Sequence, residues 1–226
     1  MDLAARVLAC TDWTTLTFEE SESDLERLLH GAKEHGVAAC CLPREWLGWW
    51  VDRRPGPELR VATVLNFPDG LRDLAQIEAE AHEAAPAEEW DVVLPYAAFQ
   101  RGDEGPSREL LTAVREWAVD RTLKVILETG SQWSRKGLQR AAELALDCGA
   151  DFLKTSTGKV PVGATPEAVD QLLDVLQGTG KGLKVSGGVR TLEAARAYVE
   201  QVEAVMGPEF IQPPTFRFGT SSLLLP

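Results

Sequence analysis

Short apolar runs alternate along this chain with longer stretches in which apolar residues return every three or four positions. The short runs predict strands over Val7–Asp12, Gly36–Leu42, Arg60–Phe67, Trp90–Leu94, Leu123–Glu128, Asp151–Thr155, Gly182–Val185 and Phe216–Phe218. Most are continuously apolar, as parallel strands covered on both faces are. Helical spacing fills the intervals. Leu25, Leu28, Leu29 and Ala32 share one face, and Leu110, Leu111, Val114, Trp117 and Ala118 form a second stripe. A further helix begins around Leu71 and Leu74 and must stop before Pro86. Ser134 can cap a helix that Gly149 ends, and Thr165-Pro166-Glu167 is a helix start with proline in the first turn. Thr191 opens the last helix, which runs to about Met206. Eight such alternations predict an α/β fold, a (β/α)8 TIM barrel spanning residues 1–226 as a single domain. An open doubly wound sheet is the rival architecture.

The charge balance narrows the partners. Lys and Arg number 23 against 35 Asp and Glu, a net charge of -12. Such a surface repels nucleic acid and anionic membranes, while leaving room for an anionic small substrate wherever a pocket gathers cations. No run approaches the roughly 20 apolar residues of a membrane span. The start of the chain carries Asp2 and no long apolar run, so no signal peptide is expected. Cys10, Cys40, Cys41 and Cys148 match neither a zinc pattern nor a disulfide framework, and a reducing cytoplasmic setting is expected. His30, His35 and His82 fall in polar helical stretches, so no protein metal site is expected.

Candidate chemistry centres on lysines inside apolar strands. Lys154 follows Asp151-Phe152-Leu153 and precedes the small polar run Thr155-Ser156-Thr157-Gly158. Lys184 sits in Gly182-Leu183-Lys184-Val185-Ser186-Gly187-Gly188. Burial disfavours an ammonium, and a second ammonium nearby disfavours it further; that makes an amine nucleophilic toward carbonyl carbon. The bland alternative is a lysine at a strand end that reaches out to water. Asp91, Asp12 and Lys124 are also ionisable groups within or beside apolar strands, where each needs a partner or a chemical task. Gly187-Gly188, Gly158 and Gly219-Thr220-Ser221-Ser222 let backbone approach a ligand, and Lys159 and Arg190 bring positive charge. In phosphate-binding barrels the anion sits after strands seven and eight, where Gly187-Gly188 and Gly219 fall. Trp46, Trp49 and Trp50 have helical spacing and suit packing or subunit contact.

With those residues placed, the chain resembles the deoxyribose-phosphate aldolase family, Schiff-base aldolases of the TIM-barrel type, over nearly its whole length. Phe152-Leu153-Lys154-Thr155-Ser156-Thr157-Gly158 resembles the family's imine-forming segment. Lys184-Val185-Ser186-Gly187-Gly188-Val189-Arg190 resembles its second-lysine and phosphate segment, with Val185 where a smaller residue or proline is more usual. Asp91-Val92-Val93 resembles the stretch with the catalytic aspartate. The resemblance implies reversible cleavage of 2-deoxyribose 5-phosphate to acetaldehyde and glyceraldehyde 3-phosphate, with no cofactor or metal, in a homodimer. Lys154 then forms the imine, Lys184 perturbs it and Asp91 serves proton transfer near Lys124. Gly158, Lys159, Gly187, Gly188, Val189, Arg190, Gly219, Ser221 and Ser222 surround the phosphate. Some members end in a tyrosine that assists proton transfer; this sequence ends Leu223-Leu224-Leu225-Pro226, so imine chemistry without that assistance is expected. The alternatives are a Schiff-base aldolase for another phosphosugar and a catalytically silent phosphosugar-binding barrel.

Overall fold

The structure, a computed structural model, describes residues 2–222; the terminal segment from Leu223 lies outside them. Eight parallel strands close into a barrel in sequence order, each paired with its chain neighbours and β1 with β8. They are β1 (Thr11–Thr14), β2 (Ala39–Cys41), β3 (Arg60–Leu65), β4 (Glu89–Val93), β5 (Thr122–Ile126), β6 (Phe152–Lys154), β7 (Gly182–Ser186) and β8 (Phe216–Thr220). The α-helices are α1 (Leu3–Ala9), α2 (Glu22–His35), α3 (Leu47–Arg53), α4 (Leu74–Glu83), α5 (Tyr96–Gln100), α6 (Gly105–Trp117), α7 (Arg135–Asp147), α8 (Pro166–Leu176) and α9 (Leu192–Met206). The closed barrel settles the choice against an open sheet.

Local chemistry explains the boundaries. Ser21 and Asp24 form a reciprocal capping box at the start of α2, and Asp73 and Gln76 do the same for α4. Ser134, Thr165 and Thr191 each accept a backbone N–H at the first turn of α7, α8 and α9. Gly36 ends α2 in the left-handed conformation at φ 61°, so it closes a helix and does not begin β2. The predicted strand over Val7–Asp12 is also corrected. Leu3–Ala9 is rich in helix formers and Asp2 caps it, its carboxylate accepting from Ala5 N at 2.8 Å. Pairing with β2 and β8 begins only near Thr11. Leu71 is exposed and precedes α4, which Asp73 caps.

Burial divides into two apolar regions. The larger packs helix stripes such as Leu110, Leu111 and Val114 against the outer faces of the strands. The smaller gathers Cys41, Ala62, Val64, Val93 and Ile126 with Leu16 and Phe67. On β4 and β5, Val93 and Ile126 share the side of Asp91 and Lys124 by the two-residue strand period. The barrel interior therefore holds both apolar and charged side chains, which on β4 and β5 follow one another along one strand face.

Candidate active site

The charged layer follows from register. Asp91 pairs with Lys124 across β4 and β5, and Lys154, Lys184 and Arg217 are consecutive neighbours across β6, β7 and β8. Glu89 stands two residues before Asp91, so both face inward, and β1 adds Asp12. Lys154 is 4% exposed, Arg217 3% and the other five 0%. Charges this deep persist when paired.

The pairing is unequal. Lys124 Nζ lies 2.5 Å from Glu89 Oε2, 2.9 Å from Asp91 Oδ1 and 3.4 Å from Asp12 Oδ2. Lys184 Nζ meets Asp12 Oδ2 at 2.5 Å and Asp91 Oδ2 at 2.7 Å. Arg217 donates to Asp12 and, at 3.0 Å, to Glu89 Oε1. Among the described residues, Lys154 Nζ has a single carboxylate partner, Asp91 Oδ2 at 2.7 Å, the same oxygen that Lys184 uses. The two amines are thus close neighbours.

The electrostatics follow this inequality. Burial, reinforced by the Lys184 ammonium, lowers the Lys154 pKa below the usual lysine range despite the opposing pull of Asp91. Burial also works against the Lys184 ammonium, but Asp12 and Asp91 outweigh it and raise its pKa. Lys124 is raised by Asp91, Glu89 and Asp12 against the same burial. Burial opposes ionisation of Asp91, yet Lys124, Lys154 and Lys184 hold its carboxyl well below the usual range. Asp12 likewise falls, against burial, chiefly through Arg217 and then Lys184. One amine in the layer is therefore easier to deprotonate than an ordinary lysine, and it is the amine facing the opening.

Above this layer, at the carboxyl ends of the strands, a cleft of about 480 Å³ opens. Lys154, Gly158, Lys159, Gly187, Gly188, Val189, Arg190, Gly219 and Ser221 line it. Gly187 and Gly188 have φ of 80° and 87°, which other residues rarely adopt. A Cβ on Gly219 would lie 2.3 Å from Ser186 Oγ, so only glycine keeps the floor open there. Among the described residues, Arg27, Lys159 and Arg190 stand against one lining carboxylate, Asp24, which is itself paired with Arg27. The local field is positive although the whole chain is acidic. Lys159 Nζ donates to Leu16 O at 2.7 Å, tying β6's following loop across the mouth. Glu128, buried in a left-handed conformation at φ 49°, accepts from Thr157 Oγ1 at 2.5 Å; its carboxyl is raised by burial.

The predicted residues thus fall into two coherent groups. Lys184, Asp91, Asp12 and Lys124 form the buried layer with Lys154, and the glycines, Val189, Lys159, Arg190 and Ser221 form the cleft above. Ser222 is exposed and does not line the cleft; its carbonyl accepts from Thr220 Oγ1 at 2.7 Å. Sequence reading missed Glu89, Arg217 and Arg27. Arg217 lies between Phe216 and Phe218 in an apolar strand, the same signal that marks Asp91. Glu89 lies two residues before Asp91 but sits in an acidic run that resembles loop. Arg27 looks like any solvated helix charge. No group of three or more His, Cys, Asp or Glu side chains is arranged to hold a metal among the described residues, and no described helix is long and apolar enough to cross a membrane.

A closed parallel barrel with ionisable groups at the floor of a cation-rich cleft, open at the strands' carboxyl ends, is the layout of a TIM-barrel enzyme. Residues 7–224 match the model of the DeoC/LacD family aldolases, and the chain belongs to that family. It is an aldolase, a lyase that makes or breaks carbon–carbon bonds. A solved structure described as a "putative deoxyribose-phosphate aldolase" from Coccidioides immitis is 30% identical, with 96% of this chain and 83% of that chain covered and a TM-score of 0.85. An aldolase called QR15 is 29% identical over 96% and 91% of the two chains, with a TM-score of 0.81. The deoxyribose phosphate aldolase from Aeropyrum pernix, described as a unique tetramer, is 26% identical over 98% and 87%, with a TM-score of 0.77.

Proposed function

We propose that this aldolase reversibly cleaves 2-deoxy-D-ribose 5-phosphate to acetaldehyde and D-glyceraldehyde 3-phosphate through an imine on Lys154. The observation that carries the reading is the Lys154 amine, buried at the cleft floor with one carboxylate oxygen that it shares with Lys184. In the cleavage direction, neutral Lys154 adds to the C1 aldehyde of the open-chain sugar, and loss of water leaves a protonated imine. The C3 hydroxyl gives up its proton, the C2–C3 bond breaks, and its electron pair flows into the imine. Glyceraldehyde 3-phosphate leaves and an enamine remains. Protonation at C2 and hydrolysis release acetaldehyde and restore the amine. The proton passes through the Asp91–Lys184 pair, whose 2.7 Å contact joins it to Lys154. Lys184 keeps Lys154 neutral as a nearby like charge, and Lys124 and Asp12 hold Asp91 and Lys184 in place. On this reading no cofactor takes part.

The phosphate lies in the cation-rich part of the cleft, against the backbone of Gly187, Gly188 and Gly158 and near the capped start of α9. Its binding energy holds the reacting carbons over Lys154. On this reading the assembly is a homodimer, and sedimentation velocity separates it from a tetramer.

Acetaldehyde with borohydride leaves a reduced two-carbon adduct on Lys154, located by peptide mass spectrometry. An adduct elsewhere, or none, removes the mechanism. Cleavage of deoxyribose 5-phosphate, set beside that of other phosphosugars, tests the substrate. Arg190→Ala raises KM for the phosphorylated substrate about tenfold or more through loss of a charge-assisted contact, with kcat little changed. Equal effects on phosphorylated and unphosphorylated substrates would remove Arg190 from the phosphate site.

A further inference from the structure

We propose that Arg217 and Glu89, which do not line the cleft, are positioning residues that set the protonation state of Lys154 by fixing the charge of the buried layer beneath it. The inference rests on the reading of Lys154 as the reacting amine. Three carboxylates, Asp12, Glu89 and Asp91, share the layer with four potential cations, Lys124, Lys154, Lys184 and Arg217. Three cations balance three anions, so the layer is neutral when one amine has lost its proton. Arg217 cannot be that group, since a guanidinium does not deprotonate in proteins. Lys124 contacts three carboxylates and Lys184 two, whereas Lys154 contacts one. The missing proton is therefore the one on Lys154.

The remaining charged and titratable groups around Lys154 leave this balance unchanged. Cys41 of β2 stays a neutral thiol, its pKa pushed up to about 11 mainly by burial. Arg60 of β3 reaches Glu89 Oε1 at 3.0 Å from below, but its side chain is 38% exposed and water screens it. Glu128, just past β5, is buried and within electrostatic reach of Lys154, but burial raises its carboxyl and its side-chain partner is Thr157, with no ion pair to the layer among the described residues. Among the described residues, Arg217 alone supplies a permanently charged guanidinium to the buried layer. It occupies Asp12 and Glu89 together, which leaves Lys124 and Lys184 sufficient for the rest.

Removing either member of the pair shifts the balance in opposite directions. Without Arg217, three carboxylates face three lysines, and Lys154 must keep its proton. Without the Glu89 charge, the layer is over-positive and Lys154 loses its proton more readily. Removal of both restores the count. A purely structural pair would behave otherwise, since two lesions in the core would add or worsen.

The test is trace acetylation of Lys154 by acetic anhydride across pH, read by peptide mass spectrometry, beside the pH profile of aldol cleavage. In Arg217→Met the pH of half-maximal labelling rises by about one unit or more. Cleavage at neutral pH falls about tenfold in the same variant and recovers at higher pH. Glu89→Gln lowers the labelling midpoint, and Glu89→Gln/Arg217→Met returns it toward wild type. An unmoved midpoint in folded Arg217→Met, or a double variant that keeps the single variant's shift, overturns the proposal. If Arg217→Met does not fold, Glu89→Gln decides: a lower midpoint supports the balance, and an unchanged or higher one refutes it. Labelling reports the amine whether or not an imine forms. Failure of borohydride trapping in the wild type would thus count against the imine mechanism alone.

Discussion

Lys154→Met lowers aldol cleavage by about 10⁴-fold or more, while thermal stability holds or rises. The loss is large because no neighbouring amine can replace it. Lys124 and Lys184 are held as ammonium ions by two or three carboxylates each, and both lie at 0% exposure below the cleft. The stability follows from the same inequality of contacts. A buried amine, even uncharged, gives up hydration that one shared contact does not offset. Methionine fills nearly the same volume with no polar atom, and Asp91 keeps Lys124 and Lys184. Steady-state cleavage beside a calorimetric melt checks both halves. Cleavage within about tenfold of wild type, or a melt lowered by many degrees, would contradict the account.

Most of this arrangement is legible in the amino-acid sequence. Apolar strands that carry a lone ionisable group, such as Lys154, Lys184 and Asp91, announce a charged interior, because burial without a partner is so costly. Glycines just past the seventh strand and near the end of the eighth announce the open cleft by the same logic of backbone approach. Which charge meets which is not legible, because that depends on register around a closed barrel. Lys154 beside Lys184 beside Arg217 is a fact of strand pairing, and no local pattern encodes it. The first strand also escaped, because Val7–Asp12 is apolar enough for either state. The capping bond of Asp2 and the pairing of Thr11 decide it. Arg27 joins the cleft through the packing of α2, a tertiary effect that leaves no mark on helix periodicity.

Asp91→Asn separates the generation of a neutral amine from the movement of protons. At neutral pH the aspartate is the common acceptor for Lys124, Lys154 and Lys184. An amide in its place leaves the Lys124 and Lys184 ammonium ions with less negative charge than they need, and unfolding free energy falls by about 3–5 kcal/mol. The pH dependence has a definite sign. The folded-state pKa of Asp91 lies well below its ordinary value, so its contribution is fully present above the unfolded pKa and is lost as pH falls through the folded value. The stability gap between wild type and Asp91→Asn therefore narrows below about pH 4, as urea unfolding at two pH values would show. Turnover drops by about 10²–10⁴-fold as proton transfer fails. Lys154 loses the anion that favours its charged form, so borohydride trapping persists and extends to lower pH. Low turnover with undiminished trapping assigns Asp91 to the proton steps, whereas wild-type turnover in the amide variant would remove it from them.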